Sequence, residues 1–512
     1  MQIPPFGLCD CIQIVPSEPG NFLSYSSIIQ NLTEDIENQC HTIHELQQNN
    51  VALRQENAEL QQTIKELRGQ LSLNSKNSSK PPSSDYPKKY STKDAQQSQQ
   101  ASDKKVGGQP GHKGSNLTPS VEVTETVRHV PDACRDCPHH DDCMNHVGIG
   151  ETRHVIDAVV TVKVTAHESL VIDCPLHGKQ QKGEFPDDIR ATVQYGENLQ
   201  ALVVAMNTIG AVSVIRTHEI LGSVFTIPLS TGTISNMVKK CASGLKETME
   251  TIRKGVLAAE VIGCDETGTK VNGKGMWVHT ASTAKYTHLT VHEKRGKDGS
   301  DAGEVLSEYT GIVVHDCWAP YWKYDVEHGV CCAHFLRDLI WTRENNPEQT
   351  WANDFIELLL KMKAAKEKAI EKGHKKLSRY FLKKFDRKYD ELIALAYEHN
   401  PPPIFEGEKK GRPKNGKVRS LVIRLDKLKE AVCLFVKNFA VPFDNNQAER
   451  DFRIVKTKTK SSGGFRTKKG ADNYAIIMSY VGTAKKHKIN PYEAILLAIR
   501  GTPQLIFTQG SE

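Results

Sequence analysis

The sequence predicts a multidomain α/β protein, and three patterns along its 512 residues support that prediction. Two apolar runs of β-type residues, at 261–266 and 311–316, each carry acidic residues at their ends. Helical patterns dominate residues 329–440 and the segments 444–460 and 471–500. A heptad repeat occupies residues 29–71. Strand-like segments that alternate with helical ones are typical of α/β domains, and the heptads add a separate helical element.

The composition is that of a soluble globular protein, with 38% hydrophobic and 25% charged residues. No stretch has the roughly 18 uncharged apolar residues of a membrane span. The first 28 residues lack the basic start and the apolar run of a secretion signal. The thirteen cysteines are spread over a long chain, which favours thiols or metal ligands over a disulfide framework. We therefore expect a cytoplasmic protein without a membrane partner.

The net charge of +6 is unevenly distributed along the chain. Residues 72–116 contain eight lysines and three aspartates, and residues 450–469 contain eight basic residues and one acidic residue. A third block, 361–390, has twelve basic and four acidic residues. Clustered positive charge predicts a polyphosphate partner such as DNA. A solvated helix face is the alternative, and it weighs most for residues 361–390.

The heptad repeat predicts a coiled coil near the N-terminus. The heptad positions are occupied by Ile29, Ile36, Ile43, Asn50, Asn57, Ile64 and Leu71, and, three residues later, by Leu32, Gln39, Leu46, Leu53, Leu60 and Leu67. Isoleucine at the first position with leucine at the second favours a parallel two-stranded coiled coil, and buried asparagines fix its register. We expect a homodimer or higher oligomer. The alternative is an amphipathic helix that packs on its own chain.

Two segments between the heptads and the first acidic run have different characters. Residues 72–116 are rich in Ser, Gln, Lys, Pro and Gly, so we expect a flexible basic linker. Residues 117–190 carry short β-type runs, 151–165 and 169–173, flanked by Cys and His. Residues 191–257 have helical patterns, and 214–240 resembles a helix-turn-helix with Ser230 as N-cap. An ordinary helical core is the favoured alternative for that segment.

Three separate acidic residues predict a metal-dependent site. Asp265 and Asp316 lie at the ends of β-type runs, and Glu449 lies near the start of a later helix. The order of these strands and helices is that of an RNase H-like core. Two Mg²⁺ ions held by carboxylate oxygens can catalyse phosphodiester chemistry, and Mn²⁺ can replace them. If the first run stays extended, Glu266 points to the opposite face of the sheet, which makes Asp265 the better ligand.

The helix that carries Glu449 has a capping sequence and a basic stripe. Asp444 or Asn445 is the expected N-cap, with Gln447 completing a capping box. Basic residues recur on this helix every three or four positions, at Arg450, Arg453, Lys456 and Lys460. We expect this stripe to hold DNA phosphates beside the metal site. The alternative is a surface helix on which Glu449 forms an ion pair with Arg453.

Several longer motifs resemble the DDE transposases of the insertion-sequence-sixty-six family. They are DET at 265–267, VHDCW at 314–318, CCAHFLR at 331–337, NNQAER at 445–450 and SGGFR at 462–466, with the linker segments SSKPPSSD at 78–85 and GGQPGHKG at 107–114. The resemblance extends from about residue 29 to residue 500. It leaves 1–28 as an N-terminal extension of uncertain role.

The resemblance implies a transposase that binds the terminal inverted repeats of its insertion sequence and a target DNA. Hydrolysis would expose a 3′-hydroxyl, which then attacks the target strand. Asp265, Asp316 and Glu449 would be the metal-binding triad. His334 would lie near the active site and orient a phosphate or a carboxylate, with a buried structural histidine as the alternative. Small accessory proteins and a nucleoid-associated location in a bacterium are further implications.

The resemblance also implies a zinc-finger-like β module that helps to bind DNA ends. Tetrahedral zinc needs four N or S ligands. Cys134 and Cys137 with Cys174 and His177 form two knuckles, although the family usually has Cys at the last position. A competing local set consists of Cys134, Cys137, Cys143 and His146, and a module without metal is a third possibility. Further DNA contacts are expected from Arg466 and from the linker residues Lys104, Lys105 and Lys113.

The predicted organisation combines these segments. An uncertain extension (1–28), a coiled coil (29–71), a basic linker (72–116), a zinc-finger-like module (117–190) and a helical domain (191–257) precede an RNase H-like core (258–330 and 441–480). The 132 residues between Asp316 and Glu449 imply a helical insertion (331–440), and a C-terminal helix and tail (481–512) follow. The competing functions are a DNA nuclease or resolvase of the same fold without strand joining, and a DNA-binding regulator with an inert triad.

Overall fold

The computed structural model describes residues 22–74, 77–78, 122–138, 144, 148–149, 151–157, 161–174, 176, 178–403 and 415–508. The chain divides into two compact units, Met1–Asp85 and Tyr86–Glu512. Within these ranges, none of the helices combines the length and the apolar composition that a membrane-spanning segment requires.

The first unit contains one long helix, α1 (Phe22–Leu71, 50 residues). Its heptad side chains from Leu32 onward are exposed, for example Ile43 (54%), Leu46 (61%) and Leu60 (53%). An apolar stripe of this kind is uncovered in the described part of the unit, and burying apolar surface is favourable. Contact of this stripe with another apolar surface would therefore be favourable.

The first described residues of the second unit, 122–190 with gaps, have little regular structure. Its described residues contain a short helix, α2 (Asp132–Arg135), and an antiparallel hairpin of β1 (Val171–Cys174) and β2 (Gly178–Lys182). The β-type run at 169–173 overlaps β1. The described residues of the run at 151–165, which are 151–157 and 161–165, form no strand, in contrast to the prediction for them. Val155 in this run is 94% exposed. An alternating sequence forms a strand only where a neighbouring strand pairs with it and its apolar side chains are buried.

Four helices follow, α3 (Glu197–Asn207), α4 (Val214–Phe225), α5 (Thr231–Gly244) and α6 (Lys246–Leu257). Ser230 is the N-cap of α5 and accepts a hydrogen bond from the Thr233 amide, as its sequence position predicts. Leu221 of α4 and Ile234 of α5 are fully buried in the main hydrophobic core. The predicted helix-turn-helix segment therefore contributes its apolar faces to the core.

A five-stranded sheet lies at the centre of the second unit. Its strands are β3 (Val261–Val271), β4 (Lys274–Ser282), β5 (Thr287–His292), β6 (Ile312–His315) and β7 (Glu327–Val330), in the order β5-β4-β3-β6-β7. The first three strands form an antiparallel meander, whereas β6 and β7 run parallel to β3. The short helix α7 (Lys297–Asp301) connects β5 to β6. Gly263 of β3 pairs with Val314 of β6. Asp265 and Asp316 each lie two residues after this pair, at the same end of the two parallel strands.

Five helices lie between β7 and the last part of the chain in the described structure. They are α8 (Cys332–Asn345), α9 (Trp351–Glu371), α10 (Arg379–His399), α11 (Lys417–Lys427) and α12 (Lys429–Lys437). They form a second hydrophobic core around fully buried Trp351, Phe355 and Tyr389. Several basic residues of 361–390 form surface ion pairs, such as Lys361 with Glu357, so part of that block is a solvated helix face.

The C-terminal helices α13 (Asn446–Ser462) and α14 (Lys468–Lys486) pack on the sheet, and α15 (Pro491–Ile499) follows. Short 3₁₀ turns occupy Tyr321–Lys323 and Pro503–Phe507. The turn after α13 contains Gly464, whose φ is +99°. A Cβ there would lie 2.3 Å from the Lys270 carbonyl oxygen, which explains a glycine in this motif. The turn thereby pairs Phe465 with β3.

Candidate metal centre and nucleic-acid surface

Three carboxylates meet where β3 and β6 adjoin. Asp265 and Glu266 lie in β3, and Asp316 follows β6; one oxygen of each lies within 4.8 Å of the other two. The Glu266 amide donates to Asp265 Oδ1 (2.7 Å), and the Trp318 amide donates to Asp316 Oδ1 (2.9 Å). Parallel pairing of the two strands brings residues distant in sequence to one edge of the sheet. Three close carboxylate oxygens suit a hard cation such as Mg²⁺.

Glu266 is held at this edge by Arg295 and Tyr321. Arg295 donates from Nε (2.9 Å) and Nη2 (2.7 Å) to Oε1, and the Tyr321 hydroxyl donates to Oε2 (2.6 Å). The guanidinium carbon also lies over the Trp277 and Trp318 rings, 4.8 and 4.3 Å from their centroids. The Tyr321 contact places Glu266 on the Cys264 side of β3, the face opposite to Asp265 that strand alternation predicts, yet one Glu266 oxygen still lies within 4.8 Å of the Asp265 and Asp316 oxygens. Strand alternation decides the face of the sheet from which a side chain projects, whereas the hydrogen bonds of its carboxylate decide where the oxygens lie.

The site concentrates negative charge. Burial, followed by the charges of Glu266 and Asp316, raises the pKa of Asp265 to about 8. Burial also raises the pKa of Glu266, while the Tyr321 and Arg295 hydrogen bonds oppose that rise. Crowded, partly desolvated carboxylates favour protonation unless a cation compensates them. The donor chemistry and this charge imbalance both fit a divalent metal ion.

Glu449 lies in a neighbouring group with Cys331 and His334. One ligand atom of each residue lies within 4.8 Å of the other two. The negative charge of Glu449 contributes to the raised pKa of Asp265. Burial is the largest cause, followed by Arg337, of the lowered pKa of His334. The two groups therefore adjoin, with Glu449 in the Cys331 and His334 group.

Asn445 anchors the start of α13 to the central strand. Its Nδ2 donates to the Cys264 carbonyl oxygen (2.8 Å), and its backbone amide donates to Cys331 Sγ (3.1 Å). A Cβ on Gly263 would lie 2.3 Å from Asn445 Oδ1, so glycine at 263 makes room for this contact. The anchor explains why Glu449, one turn later, reaches the sheet edge.

The helix start differs from the predicted capping box. Asn445 is the N-cap position but its side chain makes no capping hydrogen bond. Asp444 Oδ1 accepts from the Asn446 amide, while Gln447 bonds Asp451 and Arg450. The capping box was wrong because these side chains make tertiary and helix-surface contacts instead of local ones.

A buried ion pair fixes α13 from its other side. Lys486 Nζ donates to Asp451 Oδ2 (2.7 Å), and both side chains are 8% exposed. The hydroxyls of Ser282 and Thr287 donate to the same oxygen, at 2.6 and 2.8 Å. The network joins α13, α14 and strands β4 and β5. Nothing in the sequence pattern separates Asp451 from a surface acid, so the network was missed.

A chain of histidines supports the loop that carries Asp316. The Cys317 amide donates to Nδ1 of fully buried His315 (3.1 Å), so Nε2 carries the proton and donates to His328 Nδ1 (3.1 Å). His328 Nε2 in turn donates to the Tyr324 carbonyl oxygen (3.2 Å). Burial, and then His328, lower the pKa of His315 to about 3. A neutral His315 thus holds the loop at ordinary pH.

The basic residues of α13 lie mostly on its exposed side. Exposed positions include the predicted Arg450, Arg453, Lys456 and Lys460, and Arg466 is exposed beyond the helix. Lys458 differs, because its Nζ is buried and donates to the Asn207 and Val212 carbonyl oxygens at 2.9 and 2.8 Å. It is therefore a structural residue and no part of the charged surface. Between Glu449 and Arg453 the described structure has no ion pair.

Several predicted residues fall outside the described part of the chain. They are Lys104, Lys105, Lys113, Cys143, His146 and His177, and the side chain of Cys174. Cys134 and Cys137 lie at and just after α2, both half-buried. The zinc predictions therefore remain predictions.

Sequence comparison assigns most of the second unit to a known family. Residues 192–473, more than half of the chain, match the family described as Transposase IS66 family. The chain belongs to that family. Residues 32–118 match a family of unknown function, DUF6444. No curated protein matches the chain significantly. Membership of the IS66 transposase family implies that this protein acts on DNA.

The family match begins at residue 192, shortly before α3, and ends within α14. It therefore includes the sheet, both ligand groups and the basic face of α13. Divalent metals are general in DDE transposases, and the acidic group near β3 and β6 offers suitable oxygen ligands.

Proposed function

We propose that this IS66-family protein binds the ends of its insertion sequence and catalyses metal-dependent DNA cleavage and strand transfer through Asp265, Asp316 and Glu449. The observation that carries the proposal is the convergence of acids from three elements on one sheet edge. Asp265 and Asp316 share one ligand group, and Glu449 is electrostatically coupled to Asp265.

The proposed catalytic core is RNase H-like. Its support is the sheet order β5-β4-β3-β6-β7, with an antiparallel meander followed by two strands parallel to the first. The helices α8–α12 would be an insertion between the second and third acids. The residue ranges given from the sequence are the proposed domain boundaries.

Two Mg²⁺ or Mn²⁺ ions bound here would stabilise the attacking and leaving oxygens of an in-line displacement. The protein's own contribution is to orient the ligands. Arg295 and Tyr321 hold the Glu266 carboxylate beside Asp265, and Asn445 fixes the helix that carries Glu449. Rigid support of this kind keeps reacting groups within the narrow geometry that catalysis needs.

The chemical steps balance without a redox partner. In hydrolysis, a water oxygen attacks the phosphorus at the element's end, and the 3′-oxygen leaves and takes up a proton. In strand transfer, that 3′-hydroxyl loses its proton and attacks a target phosphodiester, and a target 3′-oxygen leaves. Both are displacements at phosphorus at the same site.

The exposed face of α13 is the proposed DNA surface beside the metal site. Its basic residues would bind phosphates from solvent-exposed positions next to Glu449. Arg466 and the linker lysines would extend this surface. The exposed heptad stripe of α1 would bind a second copy of the chain, giving a dimer that pairs two DNA ends.

The proposal is tested with the inverted repeats that flank the gene. The wild-type protein with Mg²⁺ should cleave at the repeat end and, given precut ends, join them to a target plasmid. Glu449→Gln should bind the repeat with unchanged affinity and lose both reactions. Glu493→Gln, at an exposed first-turn position of α15, is the matched control and should retain both.

Two other outcomes would overturn the proposal. Cleavage without joined products from precut ends indicates a nuclease. Binding without any Glu449-dependent reaction indicates a DNA-binding regulator.

A further inference from the structure

The second ligand group has a different chemistry from the first. Cys331 precedes α8, His334 lies in the first turn of that helix, and Glu449 lies in the first turn of α13. Their ligand atoms, one sulfur, one imidazole nitrogen and one carboxylate oxygen, lie within 4.8 Å of one another. The first group, around Asp265, offers oxygen alone.

Mixed sulfur, nitrogen and oxygen donors favour zinc over magnesium. Zn²⁺ binds Cys, His and carboxylate ligands in a tetrahedron, commonly with three protein ligands and one open position. Mg²⁺ prefers oxygen and keeps several waters. In a zinc tetrahedron, bond lengths of about 2.0 to 2.3 Å place ligand atoms about 3.3 to 3.8 Å apart. Because the ligand atoms lie within 4.8 Å of one another, closing the group to zinc distances needs each separation to shrink by at most about 1.5 Å.

A second observation, the buried imidazole nitrogen of His334, points to a metal ion at this group. His334 Nδ1 is buried and has no hydrogen-bond partner in the described structure. Buried polar atoms are nearly always paired, so an orphan in a cluster of metal-type donors calls for a bound group. Cys331 is fully buried, whereas His334 and Glu449 are half-buried, which leaves a path for an ion from solvent.

We propose that Cys331, His334 and Glu449 bind a Zn²⁺ ion, and that this ion withdraws Glu449 from Asp265 and Asp316 and thereby inhibits the magnesium-dependent reaction. The Cys331 thiol forms the sulfur–zinc bond and releases its proton to solvent. The zinc ion and the magnesium ions would compete for the Glu449 carboxylate, which belongs to the zinc-type group and lies close enough to Asp265 to affect its charge. This site is separate from the predicted zinc module around Cys134.

Zinc binding stands independently of the proposed function, whereas the inhibition rests on it. The two parts therefore have separate experiments, and failure of one is distinguishable from failure of the other.

Binding is tested by titrating the metal-free full-length chain with Co²⁺, a spectroscopic substitute for Zn²⁺. Cys331→Ala should lose one equivalent of bound Co²⁺ and the matching part of the thiolate-to-cobalt charge-transfer band. The matched control is Cys332→Ala, whose thiol faces the Val330 and Val432 carbonyl oxygens in the second core. It should retain the wild-type spectrum, and any cobalt bound near Cys134 contributes equally to all three proteins.

A second substitution guards against misfolding. His334→Gln should lose the same equivalent while its circular dichroism matches the wild type. Identical cobalt spectra for the wild type, Cys331→Ala and His334→Gln would overturn the site.

Inhibition is tested by adding Zn²⁺ to DNA cleavage at constant Mg²⁺, with each protein compared with its own zinc-free rate. The Zn²⁺ concentration for half inhibition should be at least about tenfold higher for Cys331→Ala than for the wild type or Cys332→Ala. Equal inhibition of all three proteins overturns the inhibitory role. Absence of cleavage even without Zn²⁺ counts against the proposed function, and the cobalt titration still decides the site.

Discussion

The buried pair of Asp451 and Lys486 gives a sharp stability prediction. Asp451→Asn keeps the shape of the side chain but removes its charge. The Lys486 ammonium then remains 8% exposed without its carboxylate partner. In the wild type, the Ser282 and Thr287 hydroxyls and the Gln447 side-chain amide all donate to the Asp451 carboxylate. The NH2 group of an asparagine would itself be a donor, so at least one of these donors would lose its acceptor.

The expected loss follows from this geometry. Breaking a buried ion pair by removing one partner costs about 3 to 5 kcal/mol, because it leaves an uncompensated charge. The remaining Lys486 bonds to Ser282 Oγ and the Tyr286 carbonyl oxygen, both 2.8 Å, offset part of the cost. We expect the free energy of unfolding to fall by about 3 kcal/mol.

Urea denaturation followed by tryptophan fluorescence is the assay. The five tryptophans, at positions 277, 318, 322, 341 and 351, all lie in the sheet region and the inserted helices, so the signal reports the second unit. The control is Asp472→Asn, which breaks the exposed ion pair with Lys468 on α14. Exposed pairs contribute about 0 to 1 kcal/mol.

A double substitution separates the lone charge from lost packing. Asp451→Asn with Lys486→Met should recover part of the loss, because no buried ammonium remains. If Asp451→Asn costs no more than Asp472→Asn, the claim that this pair anchors α13 is refuted.

Three further predictions concern pH and DNA. The pKa of Asp265 is raised from 3.8 to about 8, so at pH 7 the acid is ionised only in the unfolded state. Asp265→Asn should therefore raise the free energy of unfolding of the metal-free protein by up to about 4 kcal/mol at pH 7, and leave it unchanged below pH 3.8, where the acid is protonated in both states. Urea denaturation at several pH values measures this difference, and a difference that does not change with pH contradicts the prediction. Burial lowers the pKa of Lys458 from 10.5 to about 8. As the pH rises from about 8 to 10.5, the free energy of unfolding of the wild type should therefore increase by about 3 kcal/mol relative to that of Lys458→Met. If the stability difference between the two proteins is the same at pH 8 and pH 10, the prediction is contradicted. Arg453→Ala should weaken binding to repeat DNA and reduce, by about 0.9, the magnitude of the slope of log affinity against log salt concentration. The control is Lys372→Ala, at the exposed end of α9, which should leave this slope unchanged. Fluorescence anisotropy titrations at several salt concentrations measure both slopes.

Local patterns allowed much of the architecture to be predicted. The heptads correspond to α1, the β-type run at 261–266 lies in β3, and Ser230 is the N-cap of α5. These features depend on neighbours a few positions away, so periodicity and capping chemistry reveal them. Family membership also followed from contiguous motifs, and the comparison confirms it.

The site was predicted less completely because its contacts join distant segments. Glu266 joins Asp265 through Arg295, 29 residues later, and Tyr321, 55 residues later. No periodicity encodes such pairings. Lys458 and Lys456 are both lysines of one basic helix, yet packing buries only Lys458. A residue type therefore does not reveal whether its charge faces solvent or a carbonyl group.

The sequence by itself determined the kinds of elements, the three isolated acids and the family, because those depend on short-range order in the chain. Only the tertiary structure decided which side chains meet: Glu449 with Cys331 and His334, and Asp451 with Lys486. The physical reason is that parallel strand pairing and helix packing bring together residues whose separation along the chain carries no signal.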